Sequence, residues 1–374
     1  FLYKRQPKPQ LIMPKVLIVA NHRKGRSPGQ RFRFEQYLEL LERNGFVITF
    51  SNFIDEEDDK IFYAPGSYFG KIRILLKNLF LRTKEALFAS HYDIIFIYRE
   101  ATMIGSSFFE RWMARSRAKL IFDYDDSTWL PNVSEGNKAL AFLKRPEKTK
   151  EIISVCDVVF AGNEYLKQYA LKYCKDVVVV PTTIDTNYHV PQKIQKNKIC
   201  IGWTGTQTTI PHFLSIQKAL EKVFQKYPDR IYFKLIAEKE IEVPELNLRT
   251  TLWSKEDEIA QLSEIDIGIM PLPDDQWTRG KCGFKGLQYM SLGIPTVMSP
   301  VGVNNDIIKH GKNGFLASTE EEWICLLSEL IENRGLREGL GCQGKKTIER
   351  YYSVTANEQK YLDQFERIAK IKKQ

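Results

Sequence analysis

The chain has 374 residues, of which 43% are hydrophobic and 27% charged, with a net charge of +9 and an isoelectric point near 9.0. That length suits two α/β domains better than one core, and the composition excludes a disordered or fibrous chain. No apolar run reaches membrane-spanning length, and the basic balance favours anionic ligands without choosing among them.

Residues 1–12 read as a leader or extension. They are basic and proline-bearing and lack the apolar centre of a signal peptide, and Met13 directly precedes the first strand. The first domain, 13–192, alternates strands and helices. Apolar strands are expected at 15–20, 46–50, 93–98, 119–122, 157–161 and 177–180. Residues 30–44 have helical spacing (Phe34, Leu38, Leu41) and end at Gly45; a basic helix is expected at 107–117. The polar run QKIQKN, residues 192–197, is the expected linker. The second domain, 198–351, has strands at 199–203, 231–236, 266–270 and 294–299. Its helices are expected at 211–227, 320–332 and 336–351. A last amphipathic helix spans 357–371, within a final segment 352–374. Two doubly wound domains place a cleft between the carboxyl ends of their strands.

The most informative stretch is 279–316, a loop with two lysines, a helix, a buried strand and a Gly-bounded turn. Lys281 and Lys285 stand among Gly280, Gly283 and Gly286 at a helix start, where backbone N–H groups favour an anion and positive side chains oppose the helix dipole. A phosphate seat explains that placement; two solvated lysines are the alternative. Gly205 and Thr206 follow a strand and precede a helix. They read equally as phosphate contacts and as turn residues. Asp123, Asp125 and Asp126 follow another strand, as metal ligands or as caps. Arg99 and Glu100 end a strand facing the same cleft, as acceptor contacts or as a mutual pair. Gly29, Arg31 and Arg33 suit an acceptor phosphate, with a solvated helix face as the plainer reading, above all for Arg33. His22 is a base or, more simply, a polar loop residue. Residues 68–87 mix Lys and Arg with Ile, Leu and Phe, and read as a helix resting on an anionic membrane or packing on its own domain. Trp277 is a better candidate for ligand contact than Trp253. The six cysteines are scattered with no CxxC, which argues against zinc and fits a reducing cytosol.

Several strings together resemble a GT-B fold glycosyltransferase, closest to the retaining nucleotide-sugar enzymes of family 4. They are IGWTGT at 201–206, DIGIMPLPDDQWTRGKCGFKGLQYMSLGIPTVMSP at 266–300 and GKNGFLA at 311–317. GQRFRFEQYL at 29–38, YREA at 98–101, FDYDDSTW at 122–129 and GNEYL at 162–166 add to them. The resemblance implies two Rossmann-like domains facing a cleft, with the C-terminal helix crossing back to the first. It implies transfer of a sugar from a nucleotide-diphosphate sugar to a glycan or lipid-linked acceptor, with retention, without a metal and without nucleic acid as partner. The donor would lie on Gly205, Thr206, Lys281, Gly283, Phe284, Lys285 and Gln288. The acceptor would lie on Gly29, Arg31, Arg99 and Glu100, with catalysis from Asp125, Asp126 and Lys285. The expected location is the cytoplasm, with peripheral contact at the inner membrane face. Family members carry two glutamates separated by seven residues, and Gly280 and Gln288 occupy those positions here. That departure keeps two alternatives open: a non-catalytic glycosyltransferase-like subunit, and an epimerase or hydrolase of nucleotide sugars on the same fold.

Overall fold

A computed structural model describes residues 13–64, 66–131 and 145–370, so the leader 1–12 lies outside it. Unbroken apolar runs make the inner strands. β1 (Lys15–His22) has six consecutive buried residues, as in a strand covered on both faces. With β2 (Val47–Ile54), β3 (Ile94–Tyr98), β4 (Lys119–Tyr124), β5 (Val158–Ala161) and β6 (Val177–Val179) it forms a six-stranded sheet in the order β2-β1-β3-β4-β5-β6. Every pairing is parallel.

The second sheet uses β7 (Ile199–Thr204), β8 (Ile231–Ala237), β9 (Leu248–Leu252), β10 (Ile267–Met270), β11 (Thr296–Met298) and β12 (Phe315–Leu316). Its order is β12-β11-β10-β7-β8-β9, again parallel throughout. Both sheets have helices packed on them, and together they make the GT-B architecture. The connecting run 191–197 forms no helix or strand. The last helix, Val354–Lys370, returns to the first sheet. Tyr361, Leu362, Phe365 and Ile368 pack with Val16, Ile18, Phe96 and Phe160, and the Tyr361 ring stacks on Tyr37 at 4.1 Å.

Several elements differ from expectation. The helix read at 30–44 is three short pieces, Pro28–Arg33, Glu35–Tyr37 and Leu38–Arg43. Phe34 breaks it with φ −136°, which lets both Arg33 and Phe34 turn inward. The helix read at 211–227 divides at Ser215 and Ile216 into Ile210–Leu214 and Gln217–Lys226. The basic helix at 107–117 shrinks to Phe108–Met113. β9 and β12 were not anticipated, because edge strands this short and partly exposed carry no apolar run.

The topology fixes where ligands sit. The strand order reverses between β1 and β3 in the first sheet and between β7 and β10 in the second. Crevices open at such switch points beyond the carboxyl ends of the strands.

Candidate active site between the two sheets

The loops leaving β1, β3 and β4 meet the loop leaving β10 around a cavity of about 150 Å³. Gly29, Phe32, Arg33, Arg99, Asp125 and Asp126 line it from the first domain; Lys281, Cys282, Gly283, Phe284 and Lys285 line it from the second. The first domain brings two carboxylates held by arginine to the cavity, and the second brings two lysines.

Consider the carboxylate wall first. Arg99 Nε donates to Asp125 Oδ1 at 2.8 Å, and its Nη2 donates to Asp126 Oδ2 at 2.7 Å. Tyr98 Oη donates to Asp125 Oδ1 at 3.1 Å. Arg99 holds φ at +62°, a left-handed conformation that costs a side-chain-bearing residue about 1–2 kcal/mol. Its N–H is tied to the Asp123 carbonyl at 2.8 Å, so the fold enforces the kink that aims the guanidinium at the acidic loop. Burial alone would raise the Asp125 pKa, but Arg99 and Arg33 outweigh it and hold the carboxyl below its usual range. Asp125 therefore stays ionised at neutral pH. It suits hydrogen bonding or charge stabilisation better than uptake of a proton.

Asp123 has no such role. It is fully buried and forms a two-point bond with Arg33, Nε to Oδ1 at 3.1 Å and Nη2 to Oδ2 at 2.7 Å. Arg33 is thus a buried structural cation rather than a residue of a solvated helix face. Burial would lower its pKa, and the Asp123 carboxylate reverses that and raises it. The three aspartates do not pool into a metal site: each is held by an arginine. Among the described residues no group of three His, Cys, Asp or Glu side chains is placed to hold a metal ion.

The lysine wall rises from the helix Phe284–Ser291. Its N-cap, Gly283, sits at φ +70°, and a Cβ there would meet Ile307 Cδ1 at 2.3 Å. Lys281 Nζ lies 3.5 Å from Asp126 Oδ1 across the domain boundary. Among the described residues no carboxylate forms an ion pair with Lys285, whose Nζ sits 5.4 Å from the centre of the Trp203 ring. Burial, then the Lys281 charge, lowers the Lys285 pKa to about 7, with Asp126 opposing them. Burial and then Lys281 and Lys285 lower the His212 pKa to about 4.

The domains are latched around the cavity. Asn163 Nδ2 donates to the carbonyls of Gly280 and Lys281 at 3.1 and 3.0 Å. Ser127 Oγ donates to the Gln276 carbonyl at 2.9 Å, and the Phe32 and Phe284 rings lie 4.4 Å apart. Gly280 is part of this latch. A Cβ on it would stand 2.2 Å from Ser127 Oγ and 2.9 Å from Ser127 N. In this arrangement no side chain fits at 280. Gly280→Glu is therefore expected to lower any turnover roughly a hundredfold by misplacing the loop. A steady-state assay checks this; a gain in activity would show that a missing carboxylate, and not close packing, is what Gly280 means.

Other candidates fall elsewhere. Arg31 does not reach the acidic loop: its Nη2 donates to Glu258 Oε2 at 2.9 Å, across the domains. Gln288 is buried and outside the cavity wall, with Nε2 3.5 Å from Glu258 Oε1. Arg31 Nη1 and His189 Nε2 are buried without a partner beside this seam. Glu100 pairs with Lys148 at 3.2 Å. Gly205 and Thr206 leave β7 at the switch point but stand outside the cavity wall, Thr206 being exposed. His22 is engaged with Tyr63 Oη at 2.7 Å, and burial and then the Arg26 charge lower its pKa to about 4. Trp277 lies under Lys281, its ring centre 5.7 Å from Nζ, while Trp253 packs against a core cluster. Glu258 was not singled out in the sequence, and Asn163, Ser127 and Cys282 stand in strings that carried the resemblance without a role of their own, since their contacts across the boundary form only when the domains meet.

Residues 215–333 match the family model described as glycosyl transferases group 1. No curated protein matches the sequence. The structure is similar to sucrose-phosphate synthase from Thermosynechococcus elongatus, with TM-score 0.65 and 12% identity over 95% of this chain and 99% of that one. It is similar to a glycosyltransferase from Rickettsia africae, with TM-score 0.65 and 13% identity over 96% and 99%. It is also similar to Anabaena HepE in complex with UDP-glucose, with TM-score 0.61 and 13% identity over 95% and 100%. The fold is GT-B, and the second domain carries a segment that matches glycosyl transferases group 1.

Proposed function

We propose that the protein moves a sugar from a nucleoside-diphosphate sugar to a glycan or lipid-linked acceptor, with retention and without a metal. The carrying observation is the pairing of walls: carboxylates Asp125 and Asp126 face ammonium groups Lys281 and Lys285 across one small cavity. A glycosyl diphosphate separates charge in that sense as it breaks, positive at the sugar carbon and negative on the leaving phosphate. Fixed groups of opposite sign on the two sides stabilise that transition state. Lys281, Lys285 and the helix start at Gly283 and Phe284 take the diphosphate. Asp125 and Asp126 take the sugar side, with Arg99 positioning them. Two lysines supply the charge that a divalent ion would otherwise bring.

The cavity of about 150 Å³ is smaller than the ~300–1,000 Å³ usual for such ligands, so the domains must part to admit a donor. Anabaena HepE was solved with UDP-glucose, which makes uridine the first base to try.

The test is a panel of nucleotide sugars and acceptors with a chelator present, with the product linkage read by NMR. Chelator-resistant transfer that keeps the donor's anomeric configuration is expected. Inversion, a strict need for a divalent ion, or equal donor consumption without acceptor would overturn the reading.

A further inference from the structure

The helix Tyr68–Leu87 buries Ile74 and Ala86 in the first domain, yet its buried side is mostly polar and its outer side strongly apolar. Its buried side includes Lys71, Asn78, Arg82 and Glu85. Arg82 is wholly enclosed, bonded to Ser51 Oγ at 2.8 Å, Glu85 Oε2 at 2.6 Å and the Ala101 carbonyl at 2.7 Å. Its outer side carries Phe69, Ile72, Leu76, Phe80 and Leu87 at helical spacing, with Phe69 91% and Phe80 76% exposed. Phe88 follows, also exposed, and the adjoining helix Phe108–Met113 exposes Phe108. Single exposed apolar residues are ordinary, but a stripe about 27 Å long is not.

The charges on the helix select among occupants. Arg73, Lys77 and Lys84 are its exposed ionic residues, and its one acid, Glu85, is buried. Lys77 also reaches Asp58 at 2.8 Å, and Arg73 lies 3.9 Å from the same carboxylate, which leaves Lys84 as the exposed cation of this helix that, among the described residues, stands outside an ion pair. A second copy docked about a twofold axis through this face would set these cations against themselves. An anionic lipid surface meets both features, since aromatic and aliphatic side chains enter the acyl boundary while Arg and Lys meet the headgroups. At twenty residues the helix is too polar to span: among the described residues no helix is long and apolar enough to cross a membrane.

We infer that the outer face of Tyr68–Leu87 is a membrane-docking surface that lies in the plane of an anionic bilayer. It does not rest on the transfer reading, because no residue of the cavity belongs to it.

The experiment is vesicle flotation, with phosphatidylcholine alone and with phosphatidylglycerol added. The wild type is expected to float with the anionic vesicles and to be released by salt. Phe69→Ser combined with Phe80→Ser is expected to weaken binding about tenfold or more, and Lys84→Glu by a smaller factor. Lys285→Ala should float like the wild type, which separates failure here from failure of the catalytic site. Absence of flotation on both vesicles would overturn the inference. So would a dimer in sedimentation velocity that dissociates in the Phe80→Ser variant.

Discussion

Lys285→Ala is expected to lower glycosyl transfer by about 10²–10³-fold, the loss typical of removing one preorganised charge from a leaving group. Steady-state kinetics with the matching donor measures it. The side chain is half-buried beside a second lysine, and its pKa is depressed to about 7. The protonated form is therefore costly in the empty cavity and favoured once a diphosphate arrives. Binding then takes up a proton, so nucleotide affinity is fully present below pH 7 and falls as the pH rises above it, by up to about tenfold per unit. The diphosphate's own titration occurs with both proteins, so the ratio of wild-type to Lys285→Ala affinity isolates the lysine. That ratio should decline above pH 7. Loss through unfolding is not expected, because folding depresses this pKa and the charged lysine destabilises the native state.

The second large effect is on stability. Asp123→Ala is expected to cost about 3–5 kcal/mol, because it strands the wholly buried Arg33 without its carboxylate. Against a total of about 5–15 kcal/mol that is a large fraction, and urea denaturation reads it as a lowered midpoint. The pair Arg33→Met with Asp123→Leu should recover most of the loss, since an apolar pair removes the stranded charge. If Asp123→Ala were neutral, Arg33 would not be the structural cation that its geometry implies. The pair also stands directly behind the carboxylate wall: Arg33 lines the cavity and lowers the Asp125 pKa.

How far the sequence told this in advance depends on the kind of interaction. Inner strands were legible because parallel sheets buried on both faces need unbroken apolar runs, as in β1 and β3. Edge strands β9 and β12 were not, since β9 is partly exposed and polar and β12 is only two residues long. The lysine loop was legible from local chemistry, a helix start carrying positive charge against its dipole. Arg33 was not. It sits in an ordinary-looking amphipathic run, and only the break at Phe34 turns it inward to an aspartate ninety residues away. Gly280 looked like a lost glutamate until the Ser127 backbone was found against it. Gln288 and Arg31 gain meaning from Glu258, which meets Gln288 within the second domain and Arg31 across the domain boundary. The helix at 68–87 shows the limit of periodicity: it gave the helix and its two faces but not which one points outward.

The central claim is that a nucleoside diphosphate seats on Lys281 and Lys285 opposite Asp125 and Asp126. Calorimetric titration of the wild type and Lys285→Ala with UDP, GDP, ADP and CMP tests it most directly. One nucleoside diphosphate should bind the wild type and be lost or strongly weakened in the variant. If none binds with or without a divalent ion, or if one binds both proteins equally, the lysine wall is not the diphosphate seat.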